Sequence, residues 1–223
     1  IGIITGEPGL GKTTAIRYWT NTLNKNMYKV IYIPHSTLTV MEFYRLLCDE
    51  FSLDVNYSKR KNFKSIQDEI KRLVIEKRIT PVIILDEANY LPSSILNDLK
   101  ILLNFDMDSK DNVILVLIGQ KTFLSTLSLK ANEALRQRIS MNYNVGAISK
   151  DEARYYIDQK LQAAGLNTNL LSVEAYNQII NAANGVPRII NQIMDKALLL
   201  LCNYKVDEIT ETIAMEAINE VAL

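Results

Sequence analysis

A glycine-rich loop, Gly6-Glu7-Pro8-Gly9-Leu10-Gly11-Lys12-Thr13-Thr14, stands between the β-branched run "IGIIT" and a stretch of helical spacing. No other feature restricts the fold of this chain as strongly. Gly6 and Gly11-Lys12-Thr13 have the spacing of a phosphate-binding loop, and strand-loop-helix is the context that such a loop requires. Its glycines let the backbone turn its N–H groups inward toward phosphate oxygens, and the following helix adds the positive end of its dipole. On this reading Lys12 reaches the β- and γ-phosphates of ATP and the Thr13 hydroxyl ligates Mg²⁺.

The rest of the chain has two textures. Up to residue 148, β-branched runs alternate with amphipathic stretches, the pattern of a parallel sheet covered by helices. Strands are predicted at residues 1–5, 29–34, 81–86, 112–119 and 139–145, with the continuous apolar character of strands buried on both faces. Between them, "TLTVMEFYRLLCDEF" opens on a threonine cap, "FKSIQDEIKRLVIEK" has helical periodicity, and "SSILNDLKILLNF" opens on a serine cap. From Ser149 the strands stop. "SKDEARYYIDQKLQAAG" predicts a serine-capped helix closed by Gly165, and further helices are predicted at about residues 172–184, 187–203 and 207–221. The expected architecture is α/β: a parallel five-stranded nucleotide-binding domain over 1–148, then an all-helical lid over 149–223. The opening at Ile1, inside a strand and without an initiator methionine, reads as trimmed, so an N-terminal part of the first domain is expected to be missing.

Charge and cysteine usage narrow the function classes. Lys+Arg and Asp+Glu both number 25, so contact with nucleic acid would have to come from a local patch. Cys48 and Cys202 match no metal or redox spacing and are read as reduced core residues of a cytoplasmic protein. No apolar run approaches the roughly 20 residues of a membrane span, and no signal peptide is visible. His35 follows a strand without acid or nucleophile partners and is read as structural, and Tyr18, Trp19 and Tyr28 are read as packing around the first helix.

A second motif fits the first. "VIILDEANYL" places Asp86 and Glu87 at the C-terminal end of a buried strand, where ligands of α/β sheets bind. Asp86 suits the Mg²⁺ shell, and Glu87, pointing elsewhere, suits polarisation of an attacking water. The pair therefore points to hydrolysis. Gln120, in "LIGQ", is a polar side chain at the same sheet edge. Arg136 and Arg138 lie in "EALRQRISMNY" before the last strand, and Arg188 follows a Gly-x-Pro turn in "NGVPRIINQ".

In this order the motifs resemble the AAA+ ATPases. The resemblance implies that Gln120 is sensor 1 and that Arg188 is the sensor 2 arginine of the lid. Arg138 is then the arginine finger acting on a neighbouring protomer of a homo-oligomer, with Arg136 as the alternative. The strings "GEPGLGKTTAIRYW", "LNDLKILLNF" and "NGVPRIINQ" more narrowly resemble the ExeA/TniB-like group, whose members accompany transposases or serve general secretion. Lys59, Arg60, Lys61 and Lys64, in "YSKRKNFK", are expected on a loop between two helices and are candidates for sequence-independent contact with duplex DNA. The leading expectation is an ATPase that assembles on DNA with a transposase as client. A general-secretion-type ATPase, or a nucleotide-held switch with little turnover, is the alternative.

Overall fold

The computed structural model describes residues 1–34, 37–105 and 112–221; His35 lies outside them. The chain divides into two units, one of Ile1–Glu7 with Lys12–Val145, the other of Pro8–Gly11 with Gly146–Leu223.

In the first unit, five strands pair in parallel in the order β2-β3-β4-β1-β5, with β1 Gly2–Gly6, β2 Tyr28–Ile33, β3 Thr80–Leu85, β4 Ile114–Gly119 and β5 Met141–Val145. Each β-strand residue points to the face opposite its neighbour's, and the apolar runs are sorted accordingly. Ile31, Ile33, Ile83, Leu85, Leu115 and Leu117 share a core with helices α2 (Val40–Phe51), α3 (Lys59–Ile75) and α4 (Ser93–Leu102). Val82, Ile84, Val116 and Ile118 face the other way, onto Ile16 of α1 (Lys12–Thr22). Burying side chains of this size contributes about 1.5–3 kcal/mol each, so a central strand supplies both faces of the core at once. The α1 side is more thinly covered: a groove of about 820 Å³ remains there, lined by Ile4, Ala15, Trp19, Val116 and Met141 among others.

Four sequence expectations change here. The last strand is not buried on both faces: β5 is an edge strand with mostly exposed side chains, and its "MNYNV" alternates with asparagine. Ser93 does not cap α4; it is the first helical residue, and Pro92 stands at the cap without a side-chain hydrogen bond. Tyr18 does not pack around α1, being 75% exposed. A threonine does cap α2, but it is Thr39 and not Thr37, with which the predicted stretch opens: Thr39 accepts from the Glu42 amide while the Glu42 carboxylate accepts from the Thr39 amide at 2.8 Å. That hydrogen bonding holds the Glu42 carboxyl below its usual range. After β4 come two short helices, α5 (Thr122–Ser128) and α6 (Glu133–Arg136).

The second unit is helical: α7 Lys150–Ala163, α8 Val173–Ala183, α9 Pro187–Tyr204 and α10 Glu211–Val221. Ala153, Ile157, Ile179, Ile193 and Ala214, one or more from each helix, form its core. Ser149 and Glu152 make a capping box on α7. Cys48 is fully buried, but Cys202, expected in the core, lies exposed on α9. Among the described residues, no helix is long and apolar enough to cross a membrane.

Candidate nucleotide site

The phosphate-loop residues follow β1 and lead into α1. Lys12, the first residue of that helix, is only 8% exposed. Its Nζ donates to the carbonyls of Gly6 at 2.8 Å and Glu7 at 3.0 Å, which draws the ammonium over the loop. Thr13, next on the helix, donates from Oγ1 to Asp86 Oδ2 at 2.8 Å. Thr14 is exposed.

Asp86 follows β3 and is 4% exposed. Both of its oxygens accept. Oδ2 takes the Thr13 hydroxyl and, at 2.7 Å, the phenol of Tyr32; Oδ1 takes the backbone N–H of Glu87 at 2.8 Å. Burial, followed by the hydrogen bond to Asp86, pushes the Tyr32 hydroxyl up to about 12, so it stays a donor at neutral pH. Glu87 is exposed and adopts a left-handed backbone, φ +53°, before a single 3-10 turn over Ala88–Tyr90. The Glu87 carboxylate stays near enough to add to the rise at the Tyr32 hydroxyl. The two adjacent acids thus occupy different environments, one saturated and buried, the other facing solvent.

Strand order brings the third element in. Because β4 runs between β3 and β1, its end emerges between the acidic turn and the phosphate loop. Gln120 stands there, half-buried, and its backbone N–H donates to Asn89 Oδ1 at 3.1 Å.

Arg138 is half-buried, and its Nη1 donates to the carbonyl of Lys100 at 2.9 Å, near the end of α4. Arg136 is exposed, with a long contact of 3.4 Å to the Ser128 carbonyl. Within the second unit, Arg188 follows Pro187 in the first turn of α9, and its backbone N–H donates to the Gly9 carbonyl at 3.2 Å. A Cβ at Gly9 would come within 2.9 Å of Arg188 Cβ and 3.0 Å of Val186 Cγ1, on a backbone of φ +85°. The loop's second glycine is therefore required twice over.

The basic stretch is not a loop. Helix α3 begins at Lys59, so Lys59, Arg60, Lys61 and Lys64 occupy its first turns. Four cations at the positive end of a helix are electrostatically unfavourable, and one of them is compensated. Lys59 Nζ lies 2.7 Å from Asp98 Oδ2 and 5.6 Å from the centre of the Tyr44 ring. Arg60, Lys61 and Lys64 remain exposed. Phe63 packs on Tyr44, with ring centres 6.3 Å apart.

Among the described residues, no group of three or more His, Cys, Asp and Glu could hold a metal ion. One hydroxyl and one carboxylate, Thr13 and Asp86, instead form a small set of hard oxygen donors. Such a set suits Mg²⁺, which takes few protein ligands and shares the rest with phosphate and water. Tyr32 and Asn89 were missed in the sequence. Tyr32 reads as an ordinary strand former, and Asn89, the last residue of "LDEAN", carries no signal of its own there.

Known proteins resemble this chain in sequence and in fold. A family model described as "AAA domain" matches residues 1–127. "General secretion pathway protein A" of Aeromonas hydrophila is 32% identical over 202 residues, covering 88% of this chain and 36% of that protein. The chain thus spans about a third of the length of that relative. Among solved structures, Cdc6p of Pyrobaculum aerophilum superposes with a TM-score of 0.73 at 17% identity, covering 93% of this chain and 57% of the other. The RuvB Holliday junction branch migration motor of Thermotoga maritima gives 0.61 at 19%, covering 97% and 60%. At such identities the two structures establish the fold alone. Neither the family match nor the secretion-pathway relative supports a transposase or DNA as partner.

Proposed function

This chain is a member of the AAA-domain family, and from that premise we propose that it binds ATP with Mg²⁺ and hydrolyses it. The observation that carries the reading is the 2.8 Å hydrogen bond between Thr13 and Asp86, beside an ammonium already drawn over the phosphate loop. Residues Gly6, Glu7, Pro8, Gly9, Leu10 and Gly11 would present backbone N–H groups to the phosphates, with Lys12 on the β- and γ-oxygens and Thr14 at the helix start. Thr13 and Asp86 would hold Mg²⁺, which when bound offsets charge on the phosphate oxygens. Glu87 orients the attacking water and accepts its proton, while Gln120 positions that water against the phosphate.

The regulatory parts of this reading are an engine over residues 1–148 and a lid over 149–223 carrying Arg188. An arginine finger, Arg138 or Arg136, would complete the site of a neighbouring copy in a homo-oligomer. For the task served, the relative from Aeromonas hydrophila favours a general secretion pathway, with the ATP-dependent part in the cytoplasm. This displaces the transposition reading, and the ion pair that holds Lys59 weakens the DNA-contact patch further.

Steady-state turnover by Glu87→Gln tests the hydrolysis. The substitution is expected to lower kcat on the order of 10²–10⁴-fold while ATP still binds. Turnover equal to that of the unmodified protein would replace the hydrolase with a nucleotide-held switch. Retention of the full-length protein on duplex DNA at low salt, with DNA-stimulated turnover, would overturn the secretion assignment.

A further inference from the structure

The acidic turn and the end of β4 are separate in sequence, yet one side chain ties them together. Asn89 lies in the 3-10 turn that follows Glu87, and its Oδ1 accepts the backbone N–H of Gln120 at 3.1 Å. The contact is close on the other strand as well. A Cβ at Gly119 would lie 3.1 Å from Asn89 Oδ1 and 3.3 Å from the Asn89 backbone nitrogen. Gly119 has no left-handed φ, so its lack of a side chain serves the approach of Asn89 and not a turn. Three further backbone hydrogen bonds hold the segments around this point. The Glu87 N–H is on Asp86, the Tyr90 N–H donates to the Glu87 carbonyl at 3.0 Å, and the Phe123 N–H donates to the Gln120 carbonyl at 3.0 Å.

We propose that Asn89 is a positioning residue that locks the turn bearing Glu87 to the strand end bearing Gln120, so that the two groups flanking the attacking water keep one fixed spacing. The proposal rests on the ATPase reading for its consequence, though not for the bond itself. Glu87 sits on a left-handed backbone that a glutamate adopts at a cost, and such a conformation persists only where its surroundings hold it. The Asn89 bridge is the link that makes β4 part of those surroundings. Its loss frees the Gln120 N–H and lets the acidic turn shift against β4. Displacement of a catalytic group by about 1 Å can cost on the order of 100-fold in rate while leaving binding nearly intact. The phosphates are held by other residues, so the effect belongs in kcat and not in KM.

The test uses the full chain and four variants: Asn89→Ala, Asn89→Asp, Gly119→Ala and the double variant Asn89→Ala/Gly119→Ala. Amide hydrogen exchange at Gln120 is measured without nucleotide, and ATP turnover with it. Asn89→Ala is expected to speed Gln120 exchange at least about tenfold and to lower kcat about 10- to 100-fold, with KM for ATP changed less than about threefold. Asn89→Asp keeps an acceptor at the same place and restores both. Gly119→Ala pushes Asn89 aside by a few tenths of an ångström and gives a weaker loss, which largely disappears when Asn89 is already alanine. Unchanged Gln120 exchange in Asn89→Ala, or wild-type kcat in that variant, overturns the proposal, as does failure of Asn89→Asp to restore exchange protection. If the unmodified chain turns over no ATP in any assembly state, the ATPase reading falls, and the Gln120 amide alone then decides the coupling.

Discussion

Two glycine turns in this chain open a helix, and they do opposite work. At the phosphate loop, Gly11 has φ +87° and precedes α1; between α8 and α9, Asn184 and Gly185 are left-handed at φ +48° and +73° and precede Pro187. A Cβ at Gly185 would run into the Ile148 carbonyl and lie 2.9 Å from Ala147 Cβ, and the Ile148 N–H donates to the Gly185 carbonyl at 3.0 Å. Around Gly11, by contrast, no atom among the described residues lies within 4 Å of where a Cβ would stand. Gly185 is there for its protein neighbours, whereas Gly11 meets none of the described residues at that position, and Lys12 follows it directly. In sequence only the flanking residues tell them apart: Gly11 completes a phosphate-loop spacing before Lys12-Thr13, and Gly185 belongs to a Gly-x-Pro turn.

The contrast can be broken by measurement. Lys12→Ala has the largest expected effect: loss of charge-assisted hydrogen bonds worth about 3 kcal/mol, or on the order of 100-fold in ATP affinity, beside some loss of melting temperature from its two bonds to the Gly6 and Glu7 carbonyls. Equilibrium binding of a fluorescent ATP analogue checks it, and unaltered affinity would remove the loop from the site. Gly185→Ala comes next, lowering stability by about 2 kcal/mol through clash and backbone strain combined. Gly11→Ala meets no clash and should cost less in melting temperature than Gly185→Ala. If thermal melts of the two coincide, the distinction drawn here fails.

Smaller effects sharpen the picture. Ser149→Ala removes the α7 cap at about 1 kcal/mol. Its partner Glu152 is held below the usual glutamate value of 4.5, chiefly because its carboxylate accepts the Ser149 backbone N–H. A carboxyl depressed in the folded state stabilises above its unfolded value and loses that contribution as pH falls through the folded one. Ser149→Ala keeps that N–H and removes only the smaller hydroxyl contribution, so the gap between wild type and Ser149→Ala should narrow slightly in melts taken below about pH 4.5. Tyr32→Phe, last in size, removes a donor to Asp86 Oδ2. It is expected to change the Mg²⁺ half-saturation of ATP turnover a few-fold, about 0.5–1.5 kcal/mol, and a wild-type Mg²⁺ titration would dismiss Tyr32 from the site.

What could be read in advance was what neighbouring residues decide. The strand-loop-helix at Lys12, the buried runs of β3 and β4, and the cap at Ser149 are local signals of period or capping, and each appears in the structure. Asp86 and Thr13 were legible because a strand end and a loop carry them. Tyr32 and Asn89 were not, since their meaning depends on β2 lying beside β3 and on β4 lying on its other side. Sequence pattern also misplaced the start of α3. Lysines and an arginine at a helix N-terminus oppose its dipole, so the stretch reads as loop until Asp98, far along the chain, supplies the counter-charge for Lys59. The exposure of β5 and of Tyr18 follows from what covers each face, which is tertiary information.

The two cysteines and the single tryptophan give the molecule a built-in ruler. Burial raises the Cys48 thiol above its ordinary range and keeps reagents away, while Cys202 is open on the surface of the helical unit. A maleimide dye would therefore go to Cys202 without mutagenesis, because thiolate character and access together govern labelling. Trp19 lies on α1, seven residues after Lys12 in the other unit. Energy transfer from Trp19 to that dye, followed as ATP is added, would report whether the distance between the two labels changes.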